Sequence, residues 1–146
     1  MLRKTLLATL CAGALISAPV FAAAPQELQS EQGTLEVTTI TQGLEHPWAL
    51  AFLPDRQGML VTERPGRLRL IEPGPDGQPR LRPEPVAGVP PVLARGQAGL
   101  FDVVLDPDFA NNRRLLLSLA HGTPEANHLR VVRAQFDGRQ LLAVQA

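Results

Sequence analysis

Few side chains among the 146 residues are equipped for chemistry, and their spacing narrows what they can do. The histidines are His46, His121 and His128. His46 precedes Pro47 and reads as a turn residue capping a backbone group. His121 and His128 are seven apart, flanking Gly-Thr-Pro-Glu-Ala-Asn. They lack a ligand spacing of the H-x₃-H kind and read as surface-loop residues. Asp102, Asp106 and Asp108 suggest a calcium loop at first sight. However, Asp106-Pro107-Asp108 lacks the D-x-D-x-D-G ligand run, so turn-stabilising Asx hydrogen bonds are the expectation there. Asp102 falls inside a strand pattern, where it either lies near a channel or binds backbone within its own sheet. The single cysteine, Cys11, sits in a leader. Past it the chain offers no thiol for a disulfide, a nucleophile or a cysteine-based metal site.

That leader is residues 1–22. Arg3 and Lys4 supply a positive start, an apolar run follows, and small alanines close it, as in a cleavable export signal. A membrane anchor is the competing reading, but the run is short and alanine-rich for a span. The expectation is a periplasmic chain with no stable membrane insertion after cleavage. The whole chain carries 14 basic and 14 acidic residues. Removing Arg3 and Lys4 leaves 12 − 14 = −2, with no lysine at all. That balance excludes a basic nucleic-acid footprint. Apolar content of 45% with 19% charged residues excludes wholesale disorder.

The elements that must position these residues read as strands. Residues 23–42 form a polar lead-in and a first strand, the β-branched TLEVTTIT at 34–41. Residues 48–53 (WALAFL) are a continuous apolar run, the pattern of a strand buried on both faces. Residues 59–63 (MLVTE) and 67–72 (RLRLIE) follow as a hairpin, with Leu68, Leu70 and Glu72 on one face and arginines on the other. Residues 73–91 hold seven prolines and read as a long irregular loop. Strands resume at 100–105, 114–120, 129–136 and 140–144, with Asp137-Gly138 as a hairpin signal. No segment has sustained helical periodicity, so the fold class is all-β.

The layout repeats. Phe52-Leu53-Pro54-Asp55 and Val104-Leu105-Asp106-Pro107-Asp108 each end an apolar run and precede two further strands, with the prolines 107 − 54 = 53 residues apart. A repeat of about 50 residues built from short antiparallel strands is the mark of a β-propeller blade. Residues 43–146 are therefore expected to form a partial β-propeller of roughly two blades. Two blades cannot close a ring of roughly four to eight, so the chain is expected to be the N-terminal piece of a longer protein.

Three ordered motifs carry a resemblance: GLEHPWALAFLPD at 43–55, MLVTERPGRL at 59–68 and GQAGLFDVVLDPDF at 96–109. Together they resemble the soluble PQQ-dependent aldose sugar dehydrogenases of the glucose/sorbosone dehydrogenase family. The resemblance implies a six-bladed propeller that uses PQQ and Ca²⁺, an aldose substrate and a periplasmic electron acceptor. It implies hydride transfer to PQQ with a histidine as general base. That histidine belongs to a later motif, beyond the C-terminus of this chain, as do the calcium ligands and the cofactor-binding arginines. Gln97, in Gly-Gln-x-Gly-Leu, matches a glutamine beside substrate and cofactor, and is the one substrate-binding residue the resemblance places here. Arg64, Arg67 and Arg69 read as a solvated strand face, or as partners for the anionic quinone. Trp48 reads as inter-blade core. The competing expectation is a non-catalytic propeller fragment that binds a partner or oligomerises through its open edge.

Overall fold

A computed structural model of the chain describes residues 25–146. The expected export signal at 1–22, with Cys11, lies outside the described residues. The chain divides into two units, with the boundary between Thr39 and Ile40. In the first, β1 (Gln26–Ser30) and β2 (Gly33–Val37) pair as an antiparallel hairpin with all residues exposed. The polar lead-in is thus itself a strand. Ser30 Oγ donates to the Gly33 carbonyl at 2.7 Å, and Gly33 turns at φ +128°. This folds the glutamine-rich segment back onto the β-branched one.

The second unit holds two four-stranded antiparallel sheets. The first runs β3 (Pro47–Phe52), β4 (Met59–Glu63), β5 (Arg67–Pro73), β6 (Pro79–Leu81). The second runs β7 (Leu100–Leu105), β8 (Arg114–Gly122), β9 (Asn127–Phe136), β10 (Leu141–Gln145). Each is a meander in which sequence neighbours pair. The 53-residue repeat is this repeated sheet. Pro54–Arg56 makes a 3₁₀ turn after β3, and a one-turn helix α1 (Phe109–Asn112) follows β7 at the equivalent place. These are two blades of a β-propeller.

The core lies between the sheets. Leu60, Leu68 and Leu70 of the first pack with Leu100, Leu115, Leu117, Leu119, Val132 and Phe136 of the second. Period-2 alternation places these leucines on one face. Thr62, fully buried, links the blades: its hydroxyl accepts from the Ala49 N–H at 3.0 Å and donates to the Phe101 carbonyl.

Two strand expectations change. WALAFL is not buried on both faces: Trp48, Leu50 and Phe52 are 54%, 50% and 71% exposed, while Ala49 and Ala51 pack on the core. β3 is the edge strand of its sheet, so only one face is covered. The proline-rich loop contains β6, whose Pro79 stands opposite Pro73 at the outer edge, where a missing N–H costs no ladder bond.

Candidate functional site

Three segments converge at one end of the two blades: the lead into β3, the β4–β5 turn and the lead into β7. Arg64 joins them. Its N–H donates to the His46 carbonyl at 3.0 Å, and its own carbonyl accepts from the Leu100 N–H at 3.0 Å. Its guanidinium Nη1 donates to the Gly96 carbonyl at 2.7 Å. Gly99 makes this approach possible, because a Cβ there would overlap the Arg64 carbonyl.

Gln97 stands at the tip so held. Arg95 and Ala98 exchange backbone hydrogen bonds of 3.2 and 2.9 Å around the pair Gly96-Gln97. Gly96 takes φ +59°, which suits glycine at the first central position of a two-residue turn. The Gln97 side chain is exposed. A primary amide presents two donors and one acceptor oxygen, so it can bridge neighbouring hydroxyls of a polyol. Beside it, Arg64 commits one of its five donors to Gly96 and keeps a fixed positive charge.

Arg67 and Arg69 are not a solvated face. Both turn to Glu63, which is fully buried. Arg67 Nε donates to its Oε2 at 2.6 Å and the Glu45 N–H to its Oε1 at 2.6 Å, with Arg69 Nη1 at 3.5 Å. Arg67 also pairs with the Glu45 carboxylate at 2.6 Å. Burial by itself would raise the Glu63 carboxyl. The hydrogen bonds from Arg67 and the Glu45 N–H, with the charges of Arg67 and Arg69, outweigh it and hold the group below its ordinary value. Arg69 donates on to the Arg82 and Pro83 carbonyls, so this cluster fixes the lead into β3 and the long loop together.

Asp106 and Asp108 are turn residues, and Asp102 lies within β7. Asp106 Oδ1 accepts from Asn112 Nδ2 and the Asp108 N–H, each at 2.9 Å, and these bonds lower its carboxyl. Asp102 binds the Val103 N–H at 2.9 Å, within its own blade. Among the described residues no three His, Cys, Asp or Glu side chains gather to hold a metal ion. His46, at φ +48°, contributes its carbonyl to Arg64. Trp48 meets Phe101 edge-on at 5.3 Å, joining the first strands of the two blades while half its surface stays open.

His121 and His128 are not loop residues. They face each other across β8 and β9, with ring centroids 5.5 Å apart. A separation of seven conceals this until the turn is folded at its centre.

Residues 44–146 match the family model for glucose/sorbosone dehydrogenases. The chain belongs to that family. Aldose sugar dehydrogenase YliI of Escherichia coli is 50% identical over 91 residues, 62% of this chain and 23% of that protein. The structure of the soluble aldose sugar dehydrogenase from E. coli, in its apo form, superposes with a TM-score of 0.63 at 44% identity, covering 70% of this chain and 29% of that one. The PQQ-bound aldose sugar dehydrogenase from Streptomyces coelicolor superposes at 0.60 and 27% identity, covering 75% and 31%. The chain thus spans about a quarter to a third of the length of the relatives it matches.

As a glucose/sorbosone dehydrogenase segment, the chain joins Gln97 to Arg64 at one blade end. Arg64 was legible only as one of three arginines. It is distinguished from Arg67 and Arg69 by its partner: they bind Glu63, whereas it binds the Gly96 carbonyl. An apolar cavity lined by Phe52, Met59, Ile71 and Pro79 lies at the other end of the first blade, away from Gln97. Among the described residues no helix is long and apolar enough to cross a membrane.

Proposed function

We propose that this chain is the N-terminal part of a six-bladed, periplasmic dehydrogenase that oxidises aldose sugars to lactones with PQQ. The observation that carries the reading is the exposed Gln97, on a turn whose Gly96 carbonyl is held by Arg64, at one end of two blades of this family.

The residues fit their share of such a site. Gln97 binds and orients the sugar by donating to one hydroxyl and accepting from another. Arg64 offers a fixed cation to the carboxylates of the anionic quinone. PQQ, when bound, supplies the two-electron acceptor for a hydride leaving the anomeric carbon. The matching proton leaves the anomeric hydroxyl to a histidine proposed to lie beyond Ala146. Calcium belongs to the proposal for the whole protein, with ligands outside this stretch, as does a periplasmic acceptor that reoxidises the quinone.

Kinetics of the protein carrying the further blades test this. Gln97→Ala is expected to lower kcat/KM for aldose by up to about tenfold, the worth of one net hydrogen bond. Unaltered kinetics would remove Gln97 from the site.

A second reading, a non-catalytic module, draws on the outer face of β7–β10. Val104, Leu116, Leu129 and Val131 share that face and are 39% to 65% exposed. An exposed apolar sheet face of this kind marks an interaction surface.

A further inference from the structure

We propose that His121 and His128 form a two-imidazole site for a divalent transition-metal ion, taking Cu²⁺ most tightly. The inference does not depend on the sugar dehydrogenase reading.

Antiparallel register sets the two residues opposite one another on β8 and β9, so both side chains leave the same face. The backbone beneath them is fixed. One rung further, Gly122 pairs with Asn127. The turn is closed by the Thr123 N–H to the Ala126 carbonyl at 2.9 Å and the Ala126 N–H to the Thr123 carbonyl at 3.2 Å. Asn127 Nδ2 reaches the Thr123 and Pro124 carbonyls, both at 3.3 Å. A chelate on such a frame orders little more than two rings.

The rings are already spaced for a shared ion. Their centroids are 5.5 Å apart and their planes meet at 69°. Two imidazoles on adjacent positions of one ion, with metal–nitrogen distances of about 2.0–2.1 Å, place their centroids about 4.5 Å apart in the tetragonal geometry of Cu²⁺ and about 5 Å apart in a tetrahedral one. A small side-chain rotation closes the difference. His128 is exposed and His121 half-buried, so an ion enters from solvent and water fills its remaining positions.

The donor set chooses the metal class. Neutral imidazole nitrogen suits Cu²⁺, Ni²⁺ and Zn²⁺, whereas Ca²⁺ and Mg²⁺ require oxygen ligands. The general affinity order of divalent ions puts Cu²⁺ first. Among the described residues no third His, Cys, Asp or Glu completes a cluster with the pair. With two protein ligands the ion is exchangeable, unlike a closed four-ligand structural site.

The test titrates the full chain with Cu²⁺ by calorimetry and records pulsed electron paramagnetic resonance of the loaded wild type. One ion per chain, coupled to two equatorial imidazoles, is the expected result. His121→Gln and His128→Gln should each weaken binding at least tenfold with an unaltered far-ultraviolet spectrum, and His46→Gln should leave it unchanged. Variants that bind as tightly as wild type overturn the proposal, as does loss of binding in His46→Gln. A wild-type resonance showing one imidazole or none, or no binding at all, also overturns it, and those readings need no variant to fold.

Discussion

Arg64 and Thr62 carry more of this structure than their side chains' size suggests. Arg64 ties its own turn to two other segments: its N–H reaches the lead into β3, and its carbonyl and guanidinium both reach the lead into β7. Arg64→Ala is expected to cost about 1 kcal/mol, because its side-chain bond is partly solvated. It should also speed amide hydrogen exchange across residues 95–98, read by mass spectrometry. Unaltered exchange there would separate Arg64 from the Gln97 turn. Thr62→Val keeps shape but strands the Ala49 N–H and the Phe101 carbonyl. An orphaned, fully buried group costs about 1–3 kcal/mol, and these two are part-buried. A loss of about 1–2 kcal/mol in urea unfolding is therefore expected. At this scale, local chemistry was legible and distant chemistry was not. The Asp106 turn follows from residues within six positions. The burial of Glu63 depends on the Glu45 backbone 18 residues earlier and on two arginines of the next strand.

Elements depend on such clusters. Glu63 is the shared acceptor that ties the β3 lead-in to β5, so Glu63→Ala leaves Arg67 and Arg69 without their buried partner. Breaking one side of a buried pair costs about 3–5 kcal/mol, and thermal unfolding should show a loss of that order. The pH dependence has a definite sign. The folded carboxyl sits below its ordinary value, so the folded state binds fewer protons than the unfolded state in the acid range. Its contribution is full above the ordinary glutamate value of about 4.3 and is lost as pH falls through the lowered folded value. Glu63→Gln should therefore flatten the acid limb of stability against pH, and an unchanged limb would show that Glu63 is not a principal source. The hairpins were readable because Asp137-Gly138 and Arg64-Pro65-Gly66 are local turn signals. The exposure of β3 was not, because a continuous apolar run has no mark for whether its second face is covered.

The repeat made the whole molecule legible: a 53-residue period of strands gave two blades before any contact was known. The period could not say what covers the face bearing Val104, Leu116 and Val131. Light scattering after size exclusion separates the two readings of that face. A defined, well-folded assembly of a few copies supports the binding module, and monomer or aggregate supports blades that await the rest of their ring. Dye-linked aldose oxidation decides whether these blades belong to a PQQ-dependent aldose dehydrogenase, as proposed. The assay compares the 146-residue chain with the protein carrying the further blades, each with PQQ, Ca²⁺ and glucose or another aldose. PQQ-dependent dye reduction is expected from the longer protein and none from the chain alone. Turnover by the 146-residue chain, or none by the longer protein on any aldose, would overturn the proposed function.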